Sequence, residues 1–452
     1  MDDFSSRLKT AVAGTPDASL VFLGNFEVEE QWARDECTLP RVSAAGHNAV
    51  VNHMDSFALL MAGERDHVVL KAAPDAEYLD HLTGLGVALP TVHVVAKQDP
   101  RRTVTEDALE DPALLERLAG RDRHLVAHGV SAHEELLAHR SGVPLAAPDA
   151  AVCKAVNNKV YSRRVAGELD LRQPPGWACA SLTELEQAFA AAGTLLDQGR
   201  KVVVKEGFGV SGKGIAALDS ARRMDRVLRM IAKQVKRSGR ERIAFCVEEW
   251  VASSGDLNYQ FTLGRDGSVH FDFVKEQLTD GGVHKGHRMP ARLCAAQVAE
   301  LREAARAVGA RLAADGYFGV VGVDAMIDPD GGLYPVIEIN ARNNMSTYQV
   351  PLQEHFVGPS QVALARHYPV RLTERLGFGV IRDLLDGLLL DRAHGTGLLV
   401  NNFGTVNAGA RADASFDGRL YGVLIGGSDD EVLAIDAEIT TRLAERGIGD
   451  GR

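Results

Sequence analysis

Residues 322–342 read G-V-D-A-M-I-D-P-D-G-G-L-Y-P-V-I-E-I-N-A-R. The apolar run from Tyr317 to Ile327 stops at Pro329-Asp330-Gly331-Gly332, and a second run, Leu333 to Ile339, follows. Two apolar runs around a Pro/Gly turn predict a β-hairpin. Side chains alternate along a strand, so Glu338, Asn340 and Arg342 share one face and Ile337, Ile339 and Ala341 the other. Asp324, on the preceding strand, can lie opposite the first set. Two carboxylates and an amide oxygen converging in this way form a hard-oxygen site suited to Mg²⁺. The guanidinium of Arg342 would then face any anion the metal holds. A lone D…E-x-N would read as a solvated hairpin face; the rest of the chain changes that weighting.

The 452 residues exceed one typical domain and predict two to four packed units. With 45% hydrophobic and 25% charged residues, the composition is that of an ordinary globular protein. A net charge of −11 argues against a nucleic-acid partner, which calls for a basic footprint. Five scattered cysteines without metal-type spacing read as free thiols in a reducing compartment. The N-terminus lacks a signal-peptide pattern, and no apolar run is long enough to span a bilayer, so a cytoplasmic enzyme without a membrane partner is expected.

The first 150 residues alternate short strand and helix patterns, as in an α/β domain. Ser19 to Asn25, His67 to Leu70 and Thr91 to Val95 are strand patterns; Leu109 to Leu118 and His133 to Arg140 are helical. Pro144, Pro148 and nearby turn residues place a boundary near 145–150. Further helices are predicted from Asn158 to Gly167, from the Ser181–Glu184 capping box to about Ala192, from Asp219 to Lys236, and from Ala295 to Ala314. Strands are predicted over Lys201 to Lys205 and Ile243 to Glu249. After Pro369 glycines become frequent, and Ser428 to Glu431 caps a last helix reaching Arg446. The expected units are 1–150, 151–370 with a mobile lid at about 174–250, and a small glycine-rich C-terminal domain at 371–452.

Two more segments carry chemistry. Val202 to Ile215 is a strand delivering Lys205 into a glycine-rich loop, where backbone N–H groups can approach an anion and Ser211 and Lys213 add donors. By itself such a loop is often only a mobile hairpin tip, and its spacing fits neither a Walker A loop nor a Rossmann fingerprint. Glu248-Glu249-Trp250-Val251 closes a strand whose backbone could read adenine, with Asp256 near enough for ribose hydroxyls. Taken alone, that segment reads as a solvated acidic pair.

In chain order, Asn158-Lys159, Lys205 with Gly207–Gly214, Glu248 to Val251, Asp324, and Glu338 to Arg342 resemble the ordered signature of the ATP-grasp superfamily over about residues 120–350. The resemblance implies an ATP-grasp fold, two α+β lobes holding ATP, preceded by an α/β pre-ATP-grasp domain. It implies that Lys159 and Lys205 contact phosphates and that the loop with Gly209, Ser211 and Gly212 closes over them. Glu248, Glu249, Trp250 and Val251 would hold adenine, with Asp256 at the ribose. Asp324, Glu338 and Asn340 would ligate Mg²⁺, and Arg342 would stabilise an acyl-phosphate and the tetrahedral intermediate.

The sequence departs from that pattern at Gly322, where many ligases of the superfamily carry an arginine two residues before the first metal carboxylate. The missing anion contact must come from elsewhere: Arg342, or the His284-Lys285-Gly286-His287-Arg288 cluster. That cluster, predicted in a loop, reads equally as a solvated basic turn; Lys285 and Arg288 are its candidate catalytic groups. The long leading domain, Asn340 to Tyr348, and the glycine-rich tail further resemble the pheganomycin-type peptide ligases. The expected reaction joins a small-molecule carboxylate to an amino acid or peptide amine through an acyl-phosphate, releasing ADP, in natural-product biosynthesis. Glu27 to Glu30, E-V-E-E, reads either as a solvated acidic helix start or as carboxylates for a cationic donor. A bicarbonate-activating component of the biotin-dependent carboxylase type and a non-catalytic ATP-binding protein are the alternatives, and a homo-oligomer is left open.

Overall fold

Short apolar runs of the leading segment form an all-parallel sheet of β1 (Ser19–Leu23), β2 (His67–Leu70), β3 (Thr91–Val94) and β4 (Arg123–Ala127), in the order β3-β2-β1-β4. A computed structural model describes residues 3–39, 49–120, 122–209, 214–240, 242–280, 283–410 and 414–449. The expected helix over Leu109 to Leu118 is two helices, Val104–Leu109 and Pro112–Leu118. Pro112 cannot donate a helical hydrogen bond, and Asp111 instead caps the second helix through the Leu114 amide at 3.0 Å.

The second sheet, in the order β5-β8-β6-β7, is antiparallel: β5 (Gly176–Ser181), β6 (Val202–Glu206), β7 (Ile215–Leu218) and β8 (Arg242–Glu249). Helices Leu182–Asp197 and Ala221–Ser238 bury Leu185, Phe189, Val227 and Ile231 in one core with Val202, Val204 and Phe245. Strand alternation leaves Lys205, Cys246 and Glu248 for the opposite face.

The third sheet has eight strands, β9 (Gly255–Leu263), β10 (Val269–Asp280), β11 (Val283–Met289), β12 (Gly319–Ile327), β13 (Leu333–Asn340), β14 (Val362–Leu372), β15 (Gly397–Asn402) and β16 (Phe416–Gly426), in the order β13-β12-β9-β10-β11-β14-β16-β15. The glycine-rich tail thus extends the same sheet, and the expected division at 370/371 falls inside β14. Residues 284–288 belong to a strand, not the expected loop, because β11 is held between β10 and β14.

Alternation on β9, L-N-Y-Q-F-T-L from Leu257 to Leu263, decides which face becomes the site. Leu257, Tyr259, Phe261 and Leu263 pack with Val321, Val323, Ile339 and the buried stripe Leu301, Ala305, Val308 and Leu312 of helix Ala295–Ala314. Each large apolar side chain buried there stabilises by about 1.5–3 kcal/mol. A one-residue slip would turn Asn258, Gln260 and Asp324 into that core, so the register is strongly specified. The polar set is forced to the other face. No helix of the described residues is long and apolar enough to cross a membrane.

Candidate active site

The polar face of β13, β12, β9 and β10 gathers the carboxylates. Asp324 lies directly opposite Glu338 on β13, and Gly322 opposite Asn340. Asp324 Oδ1 accepts from Asn258 Nδ2 at 2.9 Å and Gln277 Nε2 at 2.6 Å, while Oδ2 accepts from Asn340 Nδ2 at 3.2 Å. Burial, with the neighbouring Glu338 charge, pushes the Asp324 carboxyl up to about 6. Asn258 and Gln277 complete the cluster although the sequence reading passed over them; the alternation of β9 was the signal that could have found Asn258.

Lysines reach this face from two directions. Lys159, the first residue of helix Lys159–Glu168, sets its ammonium 2.6 Å from Glu338 Oε1 and 2.9 Å from the Gly209 carbonyl. Asn158 caps that helix through the Val160 amide, and the Lys159 amide donates to the Gly207 carbonyl. Gly207 is required for this approach, since a Cβ there would lie 2.6 Å from Ala244 Cβ and 2.9 Å from Asn158 Oδ1. Lys205, on β6, pairs with Glu248 at 2.5 Å, and Arg163 holds the other Glu248 oxygen at 3.0 Å. Burial works against the Lys205 charge, yet Glu248 outweighs it and holds the ammonium above its ordinary value. Glu248 is likewise disfavoured by burial and held below the usual carboxylate value by Lys205 and Arg163.

The leading domain enters through Glu29. Its carboxylate ion-pairs closely with Arg342, and both groups are largely buried. Arg342 also donates to Asn340 Oδ1 at 3.0 Å and to the Asn343 carbonyl at 3.1 Å. Glu29 is therefore neither a solvated helix start nor vacant for a cationic donor; it fixes the guanidinium. At Gly322, a Cβ would lie 2.0 Å from Asn344 Nδ2. The Asn344 side chain occupies the space above the glycine, its Oδ1 accepting from the Ser346 and Thr347 amides at 2.8 and 3.2 Å. Asn344 Nδ2 and Asn258 Oδ1 are buried without a hydrogen-bond partner. An unpaired donor and an unpaired acceptor thus border the position where an arginine was missing.

Other expected residues fall differently. Arg288 does not join the carboxylates: β10 pairing puts it beside Glu276, whereas Gln277, the next residue, reaches Asp324. Its guanidinium is bound to Asp429 at 2.7 and 2.8 Å, so it serves as an anchor for the last helix on the far face. Lys285 is the extra residue where the β10–β11 register shifts, between His284 opposite Thr279 and Gly286 opposite Leu278, and is half-buried. His287 is buried and meets Ser346 Oγ at 2.9 Å. In the segment expected to hold adenine, the Glu249 and Trp250 amides already donate to the Pro175 and Lys201 carbonyls. Glu249 pairs with Arg200, and Trp250 is 50% exposed. Asp256 shares the alternation of Asn258 and accepts from Ser253 Oγ at 3.0 Å. Ser211 and Gly212 lie outside the described residues.

A family model described as the pre ATP-grasp domain matches residues 54–143. The structure superposes on the ATP complex of biotin carboxylase from Campylobacter jejuni with a TM-score of 0.56 at 11% identity, covering 96% of this chain and 97% of that one. It superposes on L-amino acid ligase from Bacillus licheniformis with a TM-score of 0.52 at 14% identity, covering 94% and 98%. The fold is ATP-grasp. Within the ATP-grasp architecture, the eight-stranded sheet is one wall and the β5-β8-β6-β7 sheet the other, joined by the Lys159 helix. A curated relative, [butirosin acyl-carrier protein]–L-glutamate ligase of Niallia circulans, is 28% identical over 329 residues, 72% of each chain. The donor set fits a divalent cation. Asp324 and Glu338 face each other as adjacent carboxylates, burial and then the Glu338 charge push the Asp324 carboxyl up, and a hard cation between them would relieve that repulsion.

Proposed function

We propose that this chain is an ATP-dependent, ADP-forming carboxylate–amine ligase that makes an amide through an acyl-phosphate. The observation that carries the reading is the Lys159–Glu338 contact at 2.6 Å, with Asp324 opposite Glu338. A lysine in contact with one of two facing carboxylates supports the binding of a phosphate beside a metal. In this reading Asp324, Glu338 and Asn340 would hold Mg²⁺, which when bound would neutralise phosphate oxygens of ATP. Lys159 and Lys205 hold the phosphates, the loop containing Gly209 covers them, and the Glu248–Val251 segment with Asp256 holds the nucleoside.

The donor carboxylate oxygen attacks the γ-phosphorus and ADP leaves; the acceptor amine then attacks the acyl carbon, expelling phosphate and a proton. Arg342, fixed by Glu29, offers its guanidinium to the developing oxyanion. No cysteine is needed: Cys153, Cys179 and Cys246 are buried, and burial pushes each thiol up. The finer proposal is a nonproteinogenic amino acid joined to a peptide in natural-product assembly. The relative named for an acyl carrier protein favours a second reading, in which one substrate is held on a carrier protein. Incubation with ATP, Mg²⁺ and a panel of amino acids, short peptides and a holo acyl carrier protein, followed by mass spectrometry, should yield a condensed mass with ADP release. ADP release driven by bicarbonate alone, with no condensed product, would replace the ligase reading with a carboxylase.

A further inference from the structure

A second cavity of about 270 Å³ lies where the leading domain meets the glycine-rich tail. It shares no lining residue with the carboxylate cluster. One wall is Ala72 to Asp75, the segment just beyond the carboxyl end of β2; the facing wall comes from Arg375 to Gly377 and from the stretch after β15.

The polar groups of the lining have a definite inventory. Arg375 is exposed and, among the described residues, has no ion pair or hydrogen bond, so its guanidinium is an unspent anion donor. His53 is buried, and its Nδ1 meets the Ala49 carbonyl at 3.0 Å. A carbonyl can only accept, so Nδ1 carries the proton and Nε2 keeps an acceptor lone pair. Burial holds that imidazole below its usual value, and the Lys71 and Arg375 charges act the same way, so it is neutral. The Ser56 hydroxyl donates to the His53 carbonyl at 3.2 Å, leaving only lone pairs. Asp75 accepts one amide on each oxygen, from Tyr78 at 3.1 Å and Phe378 at 3.2 Å, and each oxygen has a further lone pair. Asn407 bonds Leu376 in both directions, and its amide keeps one further N–H and one further lone pair. Among the lining side chains what remains is the Arg375 guanidinium and one Asn407 N–H against several acceptors, over apolar Leu59, Tyr78 and Phe403.

We infer that this cavity binds an α-amino acid with an apolar side chain, its carboxylate on Arg375 and its ammonium on Asp75 and His53 Nε2. The inference rests on the cavity's own donors and acceptors and stands apart from the ligase reading. A simple anion would leave the acceptors unused, and a neutral apolar ligand would leave both charges unused.

L-leucine is the probe, with L-leucinamide and 4-methylpentanoate as arms that remove the carboxylate and the ammonium. Calorimetry on the full chain without ATP should show L-leucine binding, with each arm at least tenfold weaker. Arg375→Ala should weaken L-leucine at least tenfold, and Ala73→Trp, which obstructs the cavity from an exposed position, should do the same. Glu338→Ala should leave the affinity unchanged, which separates this cavity from the carboxylate cluster. Absence of L-leucine binding, equal affinity for 4-methylpentanoate, an affinity insensitive to Arg375→Ala, or one abolished by Glu338→Ala would each overturn the assignment.

Discussion

Gly322→Ala is a one-carbon change with a calculable consequence. The new Cβ would sit 2.0 Å from Asn344 Nδ2, so the amide must move. The backbone at 322 lies outside the left-handed region, so the substitution carries no conformational penalty of its own. Moving the amide removes Oδ1 from the Ser346 and Thr347 amides, two hydrogen bonds of 2.8 and 3.2 Å. At about 1 kcal/mol each the loss is about 2 kcal/mol. That is about thirtyfold in any step needing the 343–349 segment in place, since about 1.36 kcal/mol is a factor of ten. Steady-state ADP release measures it, with the melting transition as the stability readout. Asn344→Ala alone should cost a similar amount, because it removes the same acceptor. Combined, the two changes should cost little more than either, since the new methyl group enters vacated space; the coupling should be about 2 kcal/mol. Simple additivity, or a silent Gly322→Ala, would refute the claim that Asn344 is the group standing over Gly322.

Glu338→Ala should lower ADP release by at least about a hundredfold while nucleotide affinity changes by less than about tenfold, because the carboxylates act on the transferring phosphoryl group; comparable losses in both would move the metal elsewhere. His93, whose pKa burial and the neighbouring His67 push down to about 4, is neutral in the folded leading sheet. Its folded value lies below the unfolded one, so its stability contribution is complete above about pH 6.5 and declines as pH falls toward 4. Allowing for partial exposure, melting at pH 7 and pH 5 should differ by about 1 kcal/mol through this group, and His93→Gln should remove that difference; an unchanged pH dependence would assign it elsewhere.

The hairpin was legible because its information is local: two apolar runs, a Pro-Asp-Gly-Gly turn and the E-x-N-x-R alternation fix which side chains face together. Helix Ala295–Ala314 matched for the same reason, its boundaries being those of an uninterrupted apolar stripe. Pro112 divided a predicted helix even though the periodicity ran through it. Contacts between distant segments were not legible. Glu29 and Arg342 are more than 300 residues apart, and nothing in E-V-E-E says which guanidinium it meets. Arg163 on Glu248 is the same case, and so is Arg288, whose basic neighbours suggested an anion site until Asp429 supplied its partner. Glycine frequency suggested a separate C-terminal unit, whereas β14 and β16 pair over eleven residues and carry the tail into the main sheet. At Gly322 the sequence showed a vacancy, and only the folded chain shows Asn344 filling it.

The central claim is that phosphoryl transfer to a carboxylate precedes amide formation at the Asp324–Glu338 site. Oxygen-18 in the donor carboxylate follows it most directly, using whichever donor and acceptor pair yields a condensed mass. One labelled oxygen should appear in inorganic phosphate, with ADP as the nucleotide product and the other label retained in the amide. Label in AMP, or condensation without label in phosphate, would contradict the account.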